Sequence, residues 1–189
     1  MIAWSVMPVL SSNSQRNLMQ IARRSLEHFV ETGTALSFQP EDPALLDPAA
    51  CFVTLRKEGQ LRGCVGVMTA GKPLFEEVVQ MTRAAASEDF RFRPVRPEEL
   101  REIRIEISVL SPLERIPSWD EIEAGVHGIF VEWQERTGAF LPEVAEEMNW
   151  TPEEFVKRCG QEKAHIPEEA WPEAALYRFT TVKIQELVS

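Results

Sequence analysis

Between residues 103 and 109 the chain alternates strictly. Ile103, Ile105, Ile107 and Val109 are separated by Arg104, Glu106 and Ser108. Successive side chains of a strand point to opposite faces, so this period of two predicts a half-buried antiparallel strand with one apolar and one polar side. Such a strand needs neighbours for its edges and a cover for its apolar side. Cys51–Arg56 is rich in strand formers, Glu58-Gly59 is a turn signal, and Leu61–Met68 is a second apolar run, which together predict a β-hairpin. Gly63 and Gly66 interrupt its second arm; glycine there points to a bulge or to a close backbone approach.

Helical periods flank these segments. Ser12 with Gln15 reads as a capping box ahead of Leu18, Ile21, Ala22, Leu26, Phe29 and Val30, with Gly33 as the stop. Pro73 suits a first helical position before Leu74, Phe75, Val78, Val79, Thr82, Ala85 and Ala86. Ser118 with Glu121 predicts a short helix that Gly125 ends. Val126–Trp133 reads as a strand, Arg136-Thr-Gly138 as a turn and Ala139–Leu141 as a returning strand. Helices are expected from Pro142 to about Met148 and from the Thr151/Glu154 capping box past Cys159, and one strand over Leu176–Val182. Hairpins among helices, without a regular βαβα alternation, give an α+β fold: a mixed, mainly antiparallel sheet with packed helices.

The 189 residues make one ordinary domain, long enough to bury a core unaided by metal or disulfides. Thirty acidic against 20 basic side chains give a formal charge of −10, a field that repels phosphate backbones and anionic membranes. Neither nucleic acid nor membrane is therefore expected as a partner. Cys51, Cys64 and Cys159 are too few and too scattered for a disulfide framework, and no C-x-x-C occurs, so reduced cytoplasmic thiols and no structural metal are expected. The apolar N-terminal stretch lacks the basic start and the length of a signal peptide. No nucleotide-loop, G-x-G-x-x-G, H-E-x-x-H, G-x-S-x-G or EF-hand pattern occurs, and no cofactor is implied.

The segment Leu61-Arg-Gly-Cys-Val-Gly66 is the most site-like. Strand alternation places Arg62 and Cys64 on one face, with Leu61, Val65 and Val67 on the other. A guanidinium beside a thiol favours the reactive thiolate. The competing reading is a small buried cysteine among glycines that let the sheet curve. His127 could serve as acid or base with Cys64, or be a structural histidine before a glycine. The arginines from Arg83 to Arg104 suit a carboxylate or phosphate, but Glu88, Asp89, Glu98, Glu99, Glu102 and Glu106 match them one for one, as in a solvated ion-pair network. The pair Glu88-Asp89 is either an acid/base or cation-holding pair or an ordinary helix end. Five tryptophans (Trp4, Trp119, Trp133, Trp150, Trp171) could anchor an interface.

These segments together resemble the AMMECR domain family, also called protein A of the AmmeMemoRadiSam system. The resemblance runs through Phe52-Val-Thr-Leu-Arg56, Gly59–Gly66, Pro73-Leu74, Ala84–Ala86, Asp89–Phe92 with Pro94, Ile105–Pro112, His127-Gly128, Gly138–Pro142, Trp150 and Tyr177–Phe179, in order along nearly the whole chain. Phe90 stands where that family usually has proline. The resemblance implies an α+β fold with a larger and a smaller subdomain and a cleft near the Arg62-Gly-Cys64 hallmark. It implies gene-neighbourhood association with a Memo-like protein and a radical SAM protein, and no settled reaction. Arg62, Cys64, His127, Asp89 and Arg91 match family positions, and Glu88 does more loosely. The expectation is an enzyme for a small anionic substrate. In it Cys64 and His127 are catalytic, and Arg62, Glu88, Asp89 and Arg91 bind substrate. The alternative is a non-catalytic interaction partner of the same two proteins.

Overall fold

A computed structural model of the chain describes residues 6–37 and 39–186; Trp4 lies outside them. Its elements in order are α1 (Ser12–Thr32), β1 (Cys51–Lys57), β2 (Gln60–Gly66), α2 (Leu74–Ser87), β3 (Ile103–Leu110), β4 (Glu114–Ile116), β5 (Gly128–Trp133), β6 (Arg136–Phe140), α3 (Pro142–Met148), α4 (Pro152–Glu162), β7 (Ala175–Phe179) and β8 (Thr181–Gln185). The fold is α+β. The chain divides into two compact units, one of residues 1–110 and 182–189, the other of residues 111–181.

In the first unit the sheet order is β2-β1-β3-β8. The alternation that predicts β3 holds: Ile103, Ile105, Ile107 and Val109 are fully buried. They form one core with Val53 and Leu55 of β1, Leu18, Ile21 and Leu26 of α1, and Leu74, Val78 and Ala85 of α2. Both helices therefore cover one side of the sheet. Helix α1 opens one residue earlier than its capping pattern indicates, because the Ser11 side chain accepts from the Ser14 N–H. It stops at Gly33, whose left-handed φ of 73° suits a residue without a Cβ.

In the second unit the order is β4-β7-β5-β6, with Ile116, Ile129, Val131 and Phe140 packed on Phe155, Val156 and Cys159 of α4. Three expectations change here. Trp119–Glu121 is a single 3-10 turn rather than an α-helix, since the Ser118 hydroxyl accepts from Asp120 and the chain is extended again at Ile122. Residues 136–138 belong to β6, and the reversal lies at Gln134, where φ is 55°. The terminal apolar run is two strands, β7 in the second sheet and β8 in the first, separated at Thr180. The run lacks a breaker, so its division is set by which sheet each half joins. The Thr151/Glu154 capping box is formed as expected.

Candidate functional site

Strand β2 is the edge of the first sheet and carries the hallmark. Thr54 pairs with Cys64 and Leu55 with Gly63, but Arg56 pairs with Leu61. Arg62 is therefore an extra residue, a bulge, and strict alternation fails between it and Cys64. Gly63 allows a close approach: a Cβ there would lie 2.2 Å from the Ala85 carbonyl oxygen on α2. Val65 and Val67 pack against the helix-side core, so Cys64 faces the other side.

The bulge separates the expected arginine–thiol pair. The Arg62 guanidinium forms a two-pronged contact with Glu99 (Nε–Oε1 3.0 Å, Nη2–Oε2 2.9 Å) and donates to the carbonyls of Arg93 (2.9 Å) and Pro94 (3.3 Å). Only 15 % of its side chain is exposed. Arg62 thus clamps the 93–99 segment to the strand. The same contact, chiefly its hydrogen bonds, holds the Glu99 carboxyl down at about 2.

Asp89 and Arg91 sit at the strand's outer edge. Cys64 and Thr54 are opposite each other with their side chains close, as in a non-hydrogen-bonded antiparallel pair, so the Cys64 N–H points away from β1. That N–H donates to Asp89 Oδ2 (2.8 Å), and Arg91 Nη2 donates to the Cys64 carbonyl (3.3 Å). Arg91 also grips both Asp89 oxygens at 2.9 and 2.7 Å. The ion pair stands where the peptide of a neighbouring strand would stand. Arg91 hydrogen bonding, with the Cys64 and Arg91 amides, holds the Asp89 carboxyl down at about 2 despite its burial.

The Cys64 thiol is half-buried, and the Thr54 hydroxyl donates to its sulfur at 3.3 Å. A donor aimed at sulfur stabilises the thiolate relative to the thiol. Cys51 and Cys159 are fully buried, and burial pushes both thiols up, with Glu77 adding to the effect at Cys51. Of the three cysteines, Cys64 is the one that is not fully buried.

The two remaining expected residues make contacts of their own. Glu88 caps α2 and pairs with Arg83 at 2.9 Å, with half of its side chain exposed. His127 belongs to the second unit. Its ring Nδ1 accepts the Glu123 backbone N–H (3.0 Å), and the His127 backbone N–H donates to the Glu123 carbonyl (2.9 Å), which leaves Nε2 as the ring nitrogen outside this turn. Among the described residues no group of three or more His, Cys, Asp or Glu is placed to hold a metal ion, and no helix is long and apolar enough to cross a membrane.

Thr54 and Glu99 are the residues that sequence reading misses. Counting outward regularly from the Lys57–Gln60 end of the hairpin puts Thr54 opposite Gly63; the bulge moves Cys64 into that place. Glu99 sits in an acid-rich stretch in which nothing marks one carboxylate from the next.

The AMMECR1 family model matches residues 19–184. Protein MK0488 of Methanopyrus kandleri is 36% identical over 180 residues, covering 89% of this chain and 86% of that protein. A protein of Thermococcus gammatolerans is 38% identical over 183 residues, with 89% and 88% covered. The crystal structure of the uncharacterized protein PH0010 from Pyrococcus horikoshii superimposes with a TM-score of 0.88 at 31% identity, over 94% of this chain and 93% of that one. With the hallmark intact on its edge strand and matches of this extent, the chain belongs to the AMMECR1 family.

Proposed function

We propose that this protein is an enzyme that uses the Cys64 thiolate on a small anionic substrate, working alongside a Memo-like protein and a radical SAM protein. The observation that carries the reading is the Thr54 hydroxyl directed at the Cys64 sulfur of a half-buried thiol. The strand that bears this thiol is fixed on its outer edge by Asp89 and Arg91. A group meant to react needs a defined position, and the ion pair that holds the peptide of Cys64 supplies it. Asp89, Arg62 and Arg91 then support the strand and its flanking loop, while Glu88 caps α2. The test is alkylation of the native protein with iodoacetamide, read by peptide mass spectrometry. Cys64 is expected to react at least tenfold faster than Cys51 and Cys159, and to keep reacting below the ordinary thiol range of about 8.5. Labelling of Cys64 only above that range would end the nucleophile reading.

One observation favours a second reading, a non-catalytic partner of the same proteins. Phe90, between Asp89 and Arg91, is 96% exposed. An aromatic ring held out by two anchored neighbours is suited to a pocket on another protein. Phe90→Ala would then weaken binding to a purified Memo-like protein at least tenfold while leaving Cys64 alkylation unchanged. Equal binding by the variant argues against this role.

A further inference from the structure

One flank of α2 borders a hollow that neither reading of Cys64 uses. Phe75, Glu76, Val79, Gln80 and Arg83 follow one another at helical spacing and so share a stripe along that flank. With Lys72 and the segment 35–37 they line a space of about 550 Å³, a size that suits a small molecule. A second hollow of about 510 Å³ shares Phe75 and Glu76 with the first and adds Leu46 and Pro73. Phe75 and Val79 are nearly buried and give the first hollow an apolar floor, while Leu46 is 41% exposed. The charges above this floor are of both signs. Lys72 and Glu76 are four residues apart and line the same space, yet they do not pair. Lys72 Nζ donates instead to the Gln80 amide oxygen at 2.7 Å, a neutral acceptor that leaves the ammonium charge uncompensated. Among the described residues the Glu76 carboxylate enters no ion pair or hydrogen bond. Arg83 differs: its Nη2 meets Glu88 Oε1 at 2.9 Å, so it serves as a wall of the hollow.

We propose that this hollow binds a small zwitterion with an apolar tail, in its simplest form an apolar α-amino acid. Lys72 takes the carboxylate, Glu76 takes the ammonium group, and the tail lies on Phe75 toward Leu46 and Pro73. A carboxylate only accepts and an ammonium only donates, so each end of the ligand is recognised by the side chain of opposite sign. Gln80 holds Lys72 in place without neutralising it. A ligand with a single charge leaves one of the two side chains unmatched. The site is independent of the thiol reading, because Cys64 lines neither hollow.

The test compares three probes that share one branched tail. L-leucine carries both charges, isocaproate lacks the ammonium group and isoamylamine lacks the carboxylate. Millimolar L-leucine should shift the backbone amide resonances of Glu76, Val79 and Gln80 in the full chain. Each singly charged probe should bind about tenfold more weakly. Lys72 and Glu76 are exposed, so Lys72→Met and Glu76→Gln should fold with an unchanged Tm. Lys72→Met should weaken L-leucine and isocaproate but spare isoamylamine. Glu76→Gln should weaken L-leucine and isoamylamine but spare isocaproate. This crossed pattern supports the site, since a merely structural change would move all three probes together. The proposal is overturned by any of three results: no shift at those amides with L-leucine, a singly charged probe that binds as tightly as L-leucine, or variants that affect all probes alike.

Discussion

The edge strands β2 and β6 meet a common requirement in different ways. Each places a glycine against a helix backbone. Gly63 faces the Ala85 carbonyl of α2, and Gly138 faces Lys163, Ala164 and the Cys159 carbonyl at the end of α4. Strand β6 pairs with β5 in unbroken register from Ile129–Phe140 to Trp133–Arg136, so its ladder has no irregularity to offset. Strand β2 carries the Arg62 bulge, and there the lost regularity is offset by ion pairs, Arg62–Glu99 behind the bulge and Asp89–Arg91 on the outer edge. Departing from a regular ladder requires other groups to fix the strand. In this protein the departure falls two residues before the half-buried thiol.

The contrast can be broken at several strengths. Gly63→Ala and Gly138→Ala should both be severe, about 3 kcal/mol in chemical unfolding, because the added Cβ would meet backbone atoms at 2.2 and 2.7 Å and neither partner is a flexible side-chain end. Stability within 1 kcal/mol of wild type would show that the strands can lift off their helices. Asp89→Asn should cost roughly 2 kcal/mol and should touch only the β2 edge. Hydrogen exchange should rise at Cys64 and remain unchanged in β6. The pH dependence has the same origin. The Asp89 and Glu99 carboxyls are held at about 2 in the folded chain, so their contribution is complete above the ordinary carboxylate range and is lost as pH falls toward 2. Acid should therefore release β2 before β6, and Asp89→Asn should flatten the acid limb of the stability curve.

Thr54→Val keeps the shape of the side chain and removes the donor to sulfur. It should slow Cys64 alkylation near neutral pH by roughly tenfold, with Thr54→Ser restoring most of the rate. An unchanged rate would mean that the hydroxyl does not govern the thiolate. The smallest effect should be at the exposed ion pair of α4. Lys157 and Glu153 are each about half exposed, and Lys157→Ala should change stability by no more than about 0.5 kcal/mol. By comparison, a double-mutant cycle on Arg62 and Glu99, each 15% exposed and joined at both prongs, should return a clearly larger coupling.

How much could be read beforehand differs from residue to residue. The period of β3, the hairpin limits, the Gly33 stop and the Thr151 cap depend on neighbours one to four residues away, and the chain alone displays them. The glycines of β2 announced a bulge or a close approach, and both occur. The pairing of Arg62 with Cys64 assumed an unbroken strand, and the bulge removed it. The run Leu176–Val182 looked like one strand because a local pattern carries no instruction about which sheet receives each half. The ion-pair reading of the arginine-rich loop holds for Arg83–Glu88 and Arg91–Asp89, but the specific partner of Arg62 was one of several equivalent acids.

The amino-acid sequence by itself determined most of the element types, the apolar side of the first sheet, the family and the position of the singular cysteine, because these rest on periodicity, turn chemistry and a continuous motif. Only the tertiary structure decided that Thr54 meets the sulfur, that Glu99 takes Arg62, and that Asp89 and Arg91 hold the peptide of Cys64. A one-residue slip in register, and contacts between segments up to 37 residues apart, set those partners. Such contacts leave no trace in local spacing, because strand pairing and charge pairing act through space, whatever the distance along the chain.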